Sequence, residues 1–248
     1  MTPIPAIGLL DSTISLLREG YPFIMNRCRK LNSEIFQIRI LSQKVVCMSG
    51  EDAARVFYDP SRFVRRGAIP KRAQRTLLGE NGIQTLDANA HQHRKQLFMS
   101  LMNPSLFKKL TELTEQEWKI QIFRWKGKNS VTLFDEAQEL LCRVACYWTG
   151  VPFKEEELRQ RAKDFGTMVD AFGAVGPRHW QGKQARARAE KWISSIVEEV
   201  RSGKLKPDAE SPLSAISFHK DHQGNLLDLH MATVEVINLL RPIVAIAT

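Results

Sequence analysis

The apolar run that closes the chain, Leu226 to Thr248, constrains the fold more than any other feature. Its pattern predicts a helix that becomes steadily more apolar, ending Ile243-Val244-Ala245-Ile246-Ala247-Thr248. A helix apolar on all sides belongs inside a core. A native helix end usually carries glycine, a basic residue or a proline just beyond it, and the last turn here has none. The expectation is therefore a chain cut inside a buried helix. Arg241-Pro242 interrupts the run between Leu239-Leu240 and Ile243-Val244. The proline removes one backbone hydrogen bond and crowds the preceding turn, so the helix should kink or open there. The helical neighbours of Arg241 are Ile237, Asn238, Val244 and Ala245, none of them acidic. A guanidinium keeps its proton, and burying it unpaired is costly, so Arg241 needs an anion. Either a carboxylate from elsewhere in the fold or a bound ligand meets that need.

Most of the remaining sequence also predicts helix. Asp11 or Ser12 caps a helix through Lys30, with Ile14, Leu17, Tyr21, Ile24 and Cys28 on one stripe. Two short β-like runs, Glu34–Ile40 and Lys44–Met48, suggest a small hairpin. A helix over Glu51–Tyr58 ends at Asp59-Pro60. The segment to Ala88 is basic and loop-rich, punctuated by Gly67, Pro70, Gly79 and Gly82. Helices follow over Asn89–Met102, Ser105–Lys126, Asp135–Thr149, Lys154–Phe172, Trp180–Ser202 and Leu226–Thr248. The fold class is mainly α with a small β-sheet, and residues 1–248 read as part of a single domain.

Composition excludes several classes. With 43% hydrophobic and 25% charged residues the chain is neither disordered nor membranous. No apolar run is long enough to span a bilayer. Met1 to Leu10 lacks a basic n-region, so no secretory signal is visible and the cytoplasm is the expected compartment. Cys28, Cys47, Cys142 and Cys146 show no C-x-x-C pair; Cys142 and Cys146 share a helical face and read as core thiols. His91 and His93 point apart on a helix, and His219 and His222 lack further ligands, so no metal site is expected. The net charge of +9 is concentrated between Ser61 and Gly79, where Arg62, Arg65, Arg66, Lys71, Arg72 and Arg75 occur without an acid. No nucleic-acid motif accompanies them.

A second cluster is Asp87-Ala-Asn-Ala-His91-Gln-His93-Arg94-Lys95. His91 and Lys95 lie four apart on a helix, where they can meet one anion together. Alone this is a common surface pattern. Leu78 and Gln84 lie in the preceding loop and say little by themselves.

Three stretches together carry a resemblance: L-L-R-P-I-V-A-I-A, A-H-Q-H-R-K-Q-L-F and D-A-F-G-A-V-G-P-R-H-W. With C-R-V-A-C-Y-W-T-G-V-P, from Cys142 to Pro152, they are similar to the fatty-acid peroxygenases of the cytochrome P-450 superfamily, and the similarity runs through nearly the whole chain. The resemblance implies the N-terminal portion of that fold, with haem b as cofactor, a fatty acid and hydrogen peroxide as substrates, and no redox partner. In most of the superfamily the long central helix carries an acid and an alcohol; in this branch Arg241 and Pro242 stand in their place. The resemblance makes Arg241 the anchor of the fatty-acid carboxylate, which then acts as general acid–base on the peroxide. It makes Gln84 and Leu78 pocket residues, and His91 and Lys95 contacts to a haem propionate, although Lys95 stands where arginine is more usual. Glutamine at 84 resembles the hydroxylating members, whereas histidine goes with decarboxylation to an alkene. The family's axial cysteine and its Glu-x-x-Arg pair lie C-terminal to this helix, so the chain is expected to be inactive alone. The alternative is a basic helical module that binds nucleic acid or an acidic surface through residues 61–79.

Overall fold

A computed structural model describes residues 4–7, 11–59 and 61–246. Helices dominate, with one two-stranded sheet. The chain divides into two compact units, Met1–Val64 and Arg65–Thr248.

In the first unit, helices α1 (Thr13–Glu19) and α2 (Pro22–Leu31) replace the single helix expected through Lys30. Gly20, at φ +61°, ends α1, and Pro22 starts α2 at its first turn, where a missing N–H costs nothing. The break swings the expected stripe outward: Ile14, Leu17, Tyr21 and Ile24 are all exposed. Phe23 is the residue that packs inward, against Phe36, Ile38 and Cys47. Strands β1 (Ile35–Ile40) and β2 (Gln43–Met48) form the expected antiparallel hairpin, with Phe36 opposite Cys47 and Ile38 opposite Val45. Leu41 and Ser42 both have positive φ, the backbone of a two-residue turn that matches strand twist. Asp11 and Thr13 hold that turn, accepting the N–H groups of Ser42 and Leu41. Residues 5–7 pair with Gln37 along the other edge of β1, a strand-like contact the sequence did not suggest. Helix α3 (Glu51–Phe57) ends where expected; Pro60 lies outside the described residues, as does part of the 1–10 segment.

The second unit begins with three short turns: α4 (Lys71–Ala73), a π-turn at Gln74–Leu78 and a 3₁₀ turn at Ile83–Thr85. The long helices are α5 (Ala88–Leu101), α6 (Pro104–Trp125), α7 (Leu133–Thr149), α8 (Glu155–Asp170) and α9 (Pro177–Arg201). Their ends differ from expectation by a few residues at most. The short α10 (Pro212–Ser217) was not anticipated; Ser211 caps it, and six residues carry too little periodicity to read. The last helix, α11, covers Leu229–Ala245 and continues across Pro242. Eleven of its seventeen residues are buried, so it is the central element of the unit. Its core contacts come from α7 (Cys142, Ala145, Cys146, Trp148), α8 (Leu158, Phe165, Met168) and α9 (Ala185, Ala189, Ile193, Val197). Ile246, beyond the helix, is exposed, and 247 and 248 lie outside the described residues.

A candidate anion site at Arg241

Arg241 is buried, as its apolar surroundings predict, with 9% of its surface exposed. Its Nε is sealed from solvent and has no hydrogen-bond partner. Among the described residues no carboxylate pairs with it, so the intramolecular salt bridge, one of the two expected outcomes, is not made. Burial lowers its pKa to about 10, and the nearby Arg186 charge pushes the same way. It is therefore a protonated, desolvated cation at neutral pH. Pro242, next in the chain, is exposed and has no N–H to give to the carbonyl of Asn238 one turn back.

One helical turn before Arg241 stands Asn238, and one turn before that Glu235, a stripe at three-residue spacing. Glu235 is fully buried and paired with Arg94 of α5. Burial pushes its carboxyl up, against the pull of Asn238, Arg94 and the Ile83 N–H. Asn238 donates from Nδ2 to Glu235 Oε2 at 3.0 Å and to Gln84 Oε1 at 3.4 Å. Gln84, on the 3₁₀ turn, is thus brought next to the Arg241 stripe.

Leu78 ends the π-turn and is half-buried. The preceding carbonyl, of Leu77, accepts from Arg186 Nη1 at 2.9 Å, while Arg186 Nε binds Glu190 at 2.6 Å and Nη2 has no partner. Gly79 follows at φ +82°; a Cβ there would collide with Arg186 Nη2 and the Val234 methyls, so only glycine lets this turn approach α11.

His91 and Lys95 occupy a different position, on α5. His91 is half-buried and Lys95 exposed. Burial, then the Arg65 and Lys95 charges, lowers the His91 pKa. Asp87 accepts the N–H groups of Arg65 (2.6 Å) and Arg66 (3.0 Å), which fixes the strand of chain beside His91. An imidazole between two cations fits a carboxylate, such as a haem propionate. Cys142 and Cys146 are sealed in the core of the second unit, and Cys47 is buried in the first, where Cys28 packs against the same cluster. The Cys146 contact and burial push the Cys142 thiol well up, as suits a core residue. His219 packs on His93 rather than His222, with ring centroids 5.0 Å apart. No group of three metal-ligating side chains occurs among the described residues. Nor is any described helix long and apolar enough to cross a membrane.

The basic segment is partly consumed by the fold. Arg62 binds Asp59, Arg75 binds Glu80, and Arg72 donates to the Ala174 carbonyl. A surface groove of about 680 Å³, lined by Phe153, Arg161 and Trp192 among others, contains none of the site residues.

Arg94, Arg186, Glu235 and Asn238 were not picked out from sequence. The Glu235-Asn238-Arg241 spacing was the available signal, since three polar residues on one stripe of an apolar helix demand partners. Arg94 sat unnoticed between His93 and Lys95.

No protein-family model matches the chain. Among curated proteins, cytochrome P-450 26B1 of Xenopus tropicalis is 22% identical over 249 residues, covering 95% of this chain and 48% of that protein. Solved structures are nearer. Cytochrome P450EX alpha (CYP152N1) with myristic acid is 43% identical, with a TM-score of 0.95 over 100% of this chain and 59% of that one. Cytochrome P450SP alpha (CYP152B1) with (R)-ibuprophen is 41% identical, TM-score 0.93, over 96% and 58% respectively. A variant of cytochrome P-450 OleT with arachidonic acid is 31% identical, TM-score 0.96, over 99% and 59%. The chain thus spans about half to three-fifths of the length of these relatives. It belongs to the cytochrome P-450 superfamily, and its fold is that of the N-terminal part. Within the superfamily the solved structures it matches at 41–43% identity are of the CYP152 branch.

Proposed function

We propose that this sequence carries the substrate side of a haem-thiolate fatty-acid peroxygenase, both units being parts of one cytoplasmic domain. Arg241 binds the fatty-acid carboxylate through a charge-assisted contact. The carboxylate, held there, serves as the general acid–base that moves a proton of hydrogen peroxide. Pro242 leaves the helix locally without a backbone N–H, and Gln84 and Leu78 flank the bound head group. His91 and Lys95 hold a propionate of haem b. A haem bound there would supply the oxidation chemistry. Peroxide brings both the oxygen atom and the oxidising equivalents, so no redox partner is needed.

The observation that carries this function is the buried Arg241, with its Nε unpartnered and no carboxylate paired with it among the described residues. An unpaired guanidinium in a core is unfavourable unless an anion arrives. In the haem-loaded protein that carries this sequence, Arg241→Ala should weaken myristate binding by about 2–5 kcal/mol and nearly abolish peroxide-dependent oxidation. Wild-type affinity and turnover in that variant would make Arg241 a purely structural residue. The isolated 248-residue chain should show no ferrous–carbon monoxide band of thiolate-ligated haem. A strong band at the thiolate position would show that one of its own cysteines ligates iron.

A further inference from the structure

Both carboxylate oxygens of the fully buried Glu235 are committed. Its Oε1 accepts from Arg94 Nη1 at 2.6 Å and from the Ile83 N–H at 2.9 Å, and its Oε2 accepts from Asn238 Nδ2 at 3.0 Å. A carboxylate only accepts, so it dictates that the amino end of the Asn238 amide faces it. The same amino group reaches Gln84 Oε1 at 3.4 Å. Gln84 therefore spends its oxygen on Asn238, and its own amino group stays available as a donor. The Asn238 Oδ1 is left buried without a donor, one turn before Arg241. One carboxylate thus sets the polarity of two amides in series. It also pins the backbone of the turn that carries the second of them. Arg94 supplies the charge that holds Glu235 ionised against its burial.

We propose that Glu235 is a positioning residue for substrate binding: through Asn238 it orients Gln84 so that the Gln84 amino group donates to a carboxylate held at Arg241. This rests on the carboxylate site proposed above. Without the Glu235 carboxylate, Asn238 loses the partner that fixes its orientation, and Gln84 is free to present its oxygen to the anion. Two acceptors then face each other, which costs affinity.

A double-mutant cycle on the haem-loaded protein, with calorimetric myristate affinity as readout, tests this. Glu235→Gln should weaken binding about ten-fold, the loss of roughly one hydrogen bond to a charged group. In a Gln84→Ala background the same change should matter by less than about two-fold, because the group it acts through is gone. A role in folding alone would leave the factor equal in both backgrounds. Since Glu235→Gln also strips Arg94 of its partner, Asn238→Ala provides a second route. It leaves the Arg94 pair and the Ile83 bond intact, should reproduce the ten-fold loss, and should be equally silent beside Gln84→Ala. Equal factors in both backgrounds, or wild-type affinity in Asn238→Ala, would overturn the positioning role. Arg241→Ala separates the two levels. If it loses myristate while the cycle is additive, only the Glu235 role falls; if it binds as wild type does, the carboxylate site falls and the Glu235 role with it.

Discussion

Arg94 Nη1 and Glu235 Oε1 lie 2.6 Å apart, with side chains 4% and 0% exposed, although 141 residues separate them in sequence. The pair ties α5 to α11, and through the Ile83 N–H it also fixes the turn before α5. Taking two charges out of water is costly, and their mutual attraction with full hydrogen bonding offsets that cost. Removing either partner alone leaves an uncompensated buried group.

Arg94→Met should therefore destabilise the protein by about 3–5 kcal/mol at neutral pH. Glu235 then has no cation, and burial raises its pKa further above the ordinary 4.5. A carboxyl with a raised folded pKa binds more protons folded than unfolded, so its stability contribution is lost as pH rises. The deficit of Arg94→Met should shrink toward pH 4.5 and grow above it. Urea midpoints from pH 4 to 8 measure this; a deficit independent of pH would mean that Glu235 is neutral in the wild type too.

Arg241, at about 10, stays protonated through neutral pH. A guanidinium keeps its proton, and a bound carboxylate strengthens that hold, so myristate affinity should be flat from about pH 6 to 10. Arg241→Lys should lose affinity at lower pH, because a buried ammonium gives up its proton more readily than a guanidinium. Binding isotherms across that range decide it; parallel profiles for the two proteins would show that neither side chain titrates in the site.

The product should be a hydroxy fatty acid rather than a terminal alkene. Anchoring the head at Arg241 brings the first carbons of the chain to the reacting centre. In the proposed site Gln84 would offer no titratable group to assist loss of the carboxylate, and an aliphatic Leu78 should favour attack at the α over the β carbon. Chromatographic analysis after feeding a saturated fatty acid and peroxide provides the readout. A dominant alkene would contradict the role given to Gln84; dominant β-hydroxylation would contradict only that of Leu78.

His219 packs on His93 near Arg94, and burial first, then those charges, lowers its pKa to about 4. Its ordinary value is 6.5, so the unfolded chain binds the extra proton first. Stability should fall as pH drops from about 6.5 to 4, by about 1–2 kcal/mol once solvent screening of this half-buried group is allowed for. His219→Gln should flatten that part of the acid limb. An unchanged limb in thermal melts would assign the loss to carboxylates instead.

Local patterns in the sequence were sufficient for most of the helices, the hairpin and the central place of α11. Each rests on a repeat that neighbouring residues carry by themselves: alternation in Ile35–Ile40, or a largely apolar run on both sides of Arg241. That Arg241 needs an anion was also legible, since guanidinium chemistry and an apolar neighbourhood are enough to require one. The helical period runs on past Gly20, but the glycine, at φ +61°, ends α1 there.

Only the tertiary structure decided who partners whom. Arg94 and Glu235 read separately as an ordinary base and an ordinary acid, and their pairing depends on α5 docking against α11. By taking Glu235 for Arg94, the Ile83 N–H and Asn238, the fold leaves Arg241 without a carboxylate among the described residues. Composition cannot foretell that choice, because 27 acids are available to 36 bases and only three-dimensional proximity selects among them.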